Sequence, residues 1–147
     1  MSSQEQAGCD GRSFRMSIPS SAAGAVHLRK QFIRFLEAAH PDASTIADIE
    51  VVIGEALANA AEHGHRPHGT IRIEAAIANG SLEAAVSDDG PGFFLRGPIS
   101  AEQPPPHAPR GYGLFLIRTL VDELELRDDG KTVWFRKLLH EGRSENR

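Results

Sequence analysis

The chain has 147 residues, 40% of them hydrophobic and 24% charged, with a formal net charge of -4; this is ordinary globular usage and excludes a disordered body. No apolar run approaches the roughly 20 residues that cross a bilayer, residues 1–12 have no apolar core of the kind a secretory signal carries, and Lys and Arg form no cluster that would track nucleic-acid phosphates. The single cysteine, Cys9, excludes an internal disulfide and a cysteine-based metal cage within one chain. The expected setting is cytoplasmic, with nucleotide and protein as partners rather than nucleic acid or membrane.

A polar N-terminal tail, residues 1–12, is expected to be disordered. In the domain that follows, residues 13–139, Phe14, Met16 and Ile18 alternate with Arg15 and Ser17, the period of a half-buried strand, and Pro19 stops it. Ser20 or Ser21 can cap a helix running to about Ala39, with Val26, Arg29, Ile33, Leu36 and Ala39 at helical spacing before Pro41. Asp42 or Ser44 opens a second helix whose apolar face is Ile49, Val52, Ile53, Ala56 and Ala60, with Gly64 placed as its stop. Ile71, Ile73, Ala75 and Ile77, then Leu82, Ala84 and Val86, alternate on either side of Asn79-Gly80, a strong hairpin signal because both turn residues tolerate positive φ.

Residues 93–110 hold Pro98, Pro104, Pro105, Pro106 and Pro109 and show no periodicity, and a loop of that length inside a compact domain is usually functional or disordered. A third helix carries Leu114, Ile117, Val121 and Leu124 on one stripe. A closing hairpin pairs residues 124–127 with 132–138 across an Asp-Asp-Gly turn at Asp128 to Gly130, and residues 140–147 form a polar tail. Mixed helices and strands with two antiparallel hairpins predict an α+β fold, a two-layer sandwich with helices on one face of a mainly antiparallel sheet. No internal repeat is present.

Three polar segments stand out. Glu55, Asn59 and His63 recur every four residues, forming a stripe beside the apolar face of the second helix. A carboxylate and an amide oxygen one turn apart suit magnesium, which takes hard oxygen ligands and keeps waters and substrate phosphates as the rest. A solvated helix flank explains the same pattern when this helix is taken alone, and the helix dipole already accounts for His63. In Asp88-Asp89-Gly90-Pro91-Gly92, a strand runs into two glycines that let backbone approach a planar ligand, and an ionised Asp88, acceptor-only, would select an exocyclic amine. An ordinary turn has the same composition. Gly111-Tyr112-Gly113 before an apolar helix can aim free N–H groups at a phosphate, with Arg110 placed to touch its end. There is no Walker A loop, strand-led Gly-x-Gly-x-x-Gly turn or nucleophile elbow.

In this order, Glu55-Ala-Leu-Ala-Asn59-Ala-Ala-Glu-His63, Asp88-x-Gly90-x-Gly92 and Gly111-x-Gly113-Leu114-x-Leu116 resemble the N, G1 and G2 boxes of the GHKL ATP-binding superfamily of gyrase B, Hsp90, histidine kinases and MutL. The compact size, the short lid and the segment from Phe115 to Glu123 resemble the bacterial anti-sigma-factor serine kinases of partner-switching systems, and the likeness runs from about Phe14 to Leu138. The resemblance implies the Bergerat ATP-binding fold, ATP and Mg2+ as cofactors, Glu55 as catalytic base and Asn59 as metal holder. It further implies Asp88 on the adenine amine assisted by Thr132, with Gly90, Gly92, Arg110, Gly111, Gly113 and Leu114 around the nucleotide. Its implied partners are a STAS-domain antagonist phosphorylated on serine, a sigma factor held otherwise, and a second copy of the chain. The proline-rich lid at Pro104 to Pro106 departs from the family pattern. Two other readings stand beside the kinase: an ATP-holding module that grips a partner without transfer, and a detached histidine-kinase catalytic domain. His27-Leu28-Arg29 superficially suggests the latter, but His27 is expected to be an ordinary helix-surface histidine.

Overall fold

The computed structural model describes residues 12–63, 69–89 and 112–142. Among the described residues five strands form one sheet: β1 (Arg12–Pro19), β2 (Thr70–Ala78), β3 (Ser81–Asp88), β4 (Glu123–Arg127) and β5 (Thr132–Leu138). Their order is β1-β2-β3-β5-β4, and every neighbouring pair is antiparallel. The helices are α1 (Ala22–Glu37), α2 (Ala43–His63) and α3 (Tyr112–Leu120). Among the described residues, none is long and apolar enough to cross a membrane.

Strand alternation sorts the sheet into two faces. One buried row runs Phe14, Ala75, Ala84, Phe135, Leu124 across the five strands, and the next runs Met16, Ile73, Val86, Val133, Leu126. Alanines at the centre of the first row leave a hollow between two phenylalanines, and α2 packs over β2 and β3 there. All three helices add their apolar stripes to this single core. The other face carries no helix among the described residues. Its charges pair along and between strands, Arg72 with Glu74 at 3.0 Å and Arg136 with Glu123 at 2.7 Å, while Arg127 lies 4.5 Å over the Trp134 ring. An antiparallel sheet tolerates one such solvated face.

The expected α+β sandwich is therefore present, with local corrections. The buried side of α1 is Leu28, Phe32 and Leu36; of the expected stripe Leu36 is buried and Ile33 packs partly against the core, whereas Val26 is 54% exposed and Arg29 reaches Glu50 at 3.7 Å. Both stripes have helical spacing; contact with β1 selects between them, since Phe14 meets Phe32 edge-to-face at 5.6 Å and Phe35 at a tilt at 5.4 Å. The helix stops at Glu37 rather than Ala39, and His27 is exposed on its surface. α3 stops at Leu120, so Leu124 belongs to β4 and not to the helix stripe. Long-range partners impose that stop: Lys137 donates to the Leu120 carbonyl, and the Asp122 N–H donates to Arg136 O at 2.9 Å. The Asn79-Gly80 hairpin forms as expected, with φ of 53° and 76°.

Side chains cap both long helices. Ser21 accepts from Gly24 N at 2.9 Å, and Asp42 accepts from Thr45 N at 2.8 Å. The Thr45 hydrogen bonds hold the Asp42 carboxyl below its ordinary value of 3.8, with a smaller contribution from His140. A depressed folded-state pKa means that the cap stabilises the protein above the unfolded-state value and that this contribution is lost as the pH falls through the folded one. Asp42→Ala should therefore lower the thermal midpoint by a constant amount across pH 5–7. The gap from wild type should close below about pH 3.8, as calorimetry at stepped pH would record.

Candidate functional site

Burial of Ile49, Val52, Ile53, Ala56 and Ala60 fixes the rotation of α2 on the sheet. Glu55 and Asn59 consequently sit one turn apart on its flank, half-buried at the edge of the core. α3 lies along that flank, held by Leu114 and Ile117 in the core. It runs antiparallel to α2: its start meets Glu55 and Asn59, while its end is bound by Lys137, which also reaches Asp48 at 3.4 Å.

The contact at the start of α3 is tight. A Cβ placed on Gly113 would stand 2.9 Å from Glu55 Oε2, 3.7 Å from Asn59 Oδ1 and 3.8 Å from Asn59 Nδ2. A side chain there would push the carboxylate aside, so glycine is what leaves Glu55 Oε2 standing directly against the first turn of α3. The N–H groups of a first turn lack intrahelical acceptors and carry the positive end of the helix dipole. Two oxygen-bearing side chains thus meet an anion-attracting helix end.

Asp88 ends β3. Its N–H donates to Lys131 O at 3.0 Å, and it registers with Ile71 on β2. By alternation, its side chain leaves the sheet on the same side as Val86, the helix-bearing side. Asp89 has a structural task, accepting from Thr70 N at 3.1 Å and so tying the exit of β3 to the start of β2. Thr132 is only 7% exposed and pairs with Ser87 rather than with Asp88. Its hydroxyl lies 3.1 Å from Ser87 Oγ and donates to Asp128 Oδ2 at 2.9 Å. By the same alternation, Ser87 and Thr132 leave the sheet on the side opposite to Asp88, so help from Thr132 could only be indirect. Sequence reasoning missed Ser87 and Asp128; the alternation that put Val86 inward also put Ser87 outward and was the available signal.

Glu55, Asn59, Gly113 and Leu114 are thus gathered at one seam, and Asp88 stands at a strand end on the same side of the sheet. Gly90, Gly92, Arg110 and Gly111 lie outside the described residues, as do Gly64 and the side chain of His63. Among the described residues no three His, Cys, Asp or Glu side chains could hold a metal by themselves. The Glu55 and Asn59 oxygens instead fit an ion that draws most of its ligands from phosphate and water, as magnesium does. A shallow depression of about 410 Å³, floored by Ala76 and Ala85 beside Trp134, lies on the helix-free face, away from this seam.

Residues 18–137 match the family described as the histidine kinase-like ATPase domain. Curated proteins named Serine-protein kinase RsbW, from Bacillus thuringiensis (strain Al Hakam) and Bacillus anthracis, are each 33% identical over 110 residues, covering 69% of this chain and 69% of theirs. A solved structure titled as the RsbU and RsbW domains of Rv1364c from Mycobacterium tuberculosis superposes with a TM-score of 0.60 at 24% identity. That superposition covers 88% of this chain and 31% of the solved one. The chain belongs to the histidine kinase-like, GHKL-type ATPase domain family, and within it is an RsbW-like member. ATP binding is the property this family implies.

Gly113→Ala separates folding from function at the seam. Alanine is the better helix former, and the group it meets is the far end of a flexible glutamate, so the thermal midpoint should hold or rise. Displacing the Glu55 carboxylate should nevertheless lower any phosphoryl transfer, by up to roughly 10²-fold, the cost of a misplacement of about 1 Å, measured with labelled ATP on the same preparation.

Proposed function

We propose that this protein is an ATP-dependent protein serine kinase and anti-sigma factor of a partner-switching system. It would phosphorylate a serine on a STAS-domain antagonist and otherwise sequester a sigma factor, acting as a cytoplasmic homodimer. The observation that carries the proposal is the close approach of Gly113 to Glu55 and Asn59. It brings a candidate base, an amide oxygen and a helix N-terminus to one place. Similarity to proteins named serine-protein kinase supports the reaction class.

In this reading the adenine amine donates to Asp88, and Gly90 and Gly92 let the backbone lie against the ring. Gly111, Gly113 and the start of α3 receive the phosphates, with Leu114 anchoring that turn and Arg110 at the terminal phosphate. Asn59 holds magnesium, which would neutralise charge on the phosphate oxygens. Phosphoryl transfer then asks mainly for positioning and charge stabilisation. Glu55 takes the proton of the incoming serine hydroxyl as its oxygen bonds to the γ-phosphorus. The bond from that phosphorus to the β–γ bridging oxygen breaks, and ADP leaves with the bond electrons.

Purified protein incubated with labelled ATP, magnesium and a STAS-domain partner should place label on a serine of the partner. Glu55→Gln should retain ATP binding and lose at least about 10²-fold in transfer, the usual worth of a positioned base. Asn59→Ala should lose magnesium-dependent nucleotide binding. Equal loss of binding and transfer in Glu55→Gln would contradict the base assignment, and binding without transfer in the wild type would favour a non-catalytic ATP-holding module. Asp88→Asn should weaken ATP binding by about 1.5–3 kcal/mol, the range for hydrogen bonds to charged groups, as titration calorimetry would measure.

A further inference from the structure

The hydrogen bonds behind Asp88 form a directed chain. Asp128 accepts at 2.9 Å from the Thr132 hydroxyl, and an ionised carboxylate can only accept, so the single Thr132 proton is committed to Asp128. In the 3.1 Å contact between Thr132 Oγ1 and Ser87 Oγ, Ser87 must therefore be the donor. The order runs Ser87 to Thr132 to Asp128, each link polarising the next. Thr132 is nearly fully buried, which shields its links from competing water.

This chain joins the two backbone segments that set where Asp88 stands. Ser87 is its immediate neighbour on β3, and the Asp88 N–H is held by the carbonyl of Lys131, in the turn that Asp128 begins. Asp128 controls that turn twice, by its carbonyl, which accepts from Lys131 N at 3.1 Å, and by its side chain, which reaches Thr132. Its φ of 55° is a left-handed conformation that aspartate tolerates and most residues do not. None of the three side chains lies on the face where Asp88 projects, so none needs to touch a ligand.

We infer that Asp128, acting through Thr132 and Ser87, is a positioning residue that holds Asp88 at the spacing needed to discriminate an exocyclic amine from a carbonyl on the bound base. The inference rests on the proposed base-reading role of Asp88 and adds to it a device that the nucleotide never meets. Glycine fits the left-handed position, so Asp128→Gly removes the carboxylate without backbone strain. Asp128→Asn keeps an acceptor, Thr132→Val removes the hydroxyl with little change of shape, and Thr132→Ser restores it.

The readout is the ratio of the affinities for ATP and inosine triphosphate, which differ at that exocyclic group, taken by calorimetry beside a nucleotide-free melting curve. Asp128→Gly and Thr132→Val should each cut the ratio by roughly three- to ten-fold, the scale of one typical hydrogen bond felt indirectly at the ligand. Asp128→Asn and Thr132→Ser should keep most of it. A purely structural role would lower the melting temperature, or weaken both nucleotides alike, and leave the ratio where it was. A selective wild type whose ratio survives both Asp128→Gly and Thr132→Val overturns the inference alone. A wild type that binds both nucleotides equally overturns the base-reading role of Asp88 and this inference with it.

Discussion

The absence of a side chain at residue 113 is the constraint on which the placing of the Glu55 carboxylate against α3 depends. Because nothing projects there, the first turn of α3 settles against Glu55 and Asn59, and a carboxylate, an amide and a helix N-terminus share a space too small for a methyl group without movement. The core enforces this closeness from both sides. Ala56 and Ala60 press α2 onto the sheet, and Leu114 and Ile117 press α3 beside it. Neither helix can rotate to relieve the contact without exposing apolar surface, at a cost of about 25 cal/mol per Å². The polar groups are thus prepositioned by apolar packing, which is how a small domain can hold a polar cluster in place without a rigid polar network.

The sheet supplies the second half of the architecture by separating its two faces. The helix-bearing face takes Asp88, where β3 leaves the sheet, and the opposite face takes the Ser87–Thr132–Asp128 chain. A residue proposed to read a ligand and the residues proposed to brace it can be adjacent in sequence and still be on different sides, because the strand period is two. The Asp-Asp pair divides labour in the same way: Asp88 is set by the Lys131 carbonyl, while Asp89 ties the strand exit to Thr70.

Much of this was legible in the residues, for identifiable reasons. The α2 stripe and the strands around Asn79-Gly80 could be read because their periodicity is unbroken and their turn needs positive φ. Membership of the family was legible because three motifs occur in order, none of them decisive alone. The phase of α1 was legible only in part, since Val26-Arg29-Ile33-Leu36 and Leu28-Phe32-Leu36 are both helical repeats that share Leu36, and Phe14, on another element, turns the helix toward Phe32. The end of α3 was not legible, being set by Lys137 and Arg136 from β5. The insertion of β5 between β3 and β4 likewise has no local signal. The family resemblance pairs Thr132 with Asp88, and only the register discloses that the neighbour of Thr132 across the strands is Ser87.

The claim that Glu55, Asn59, Gly113 and Asp88 surround a single nucleotide can be tested most directly with ATP carrying paramagnetic manganese in place of magnesium, by NMR of the labelled protein. The account predicts that line broadening is greatest at Glu55, Asn59 and Gly113, weaker at Asp88 near the base, and absent at the Asn79-Gly80 hairpin. Broadening centred on the helix-free face around Trp134, or none at saturating nucleotide, would contradict it.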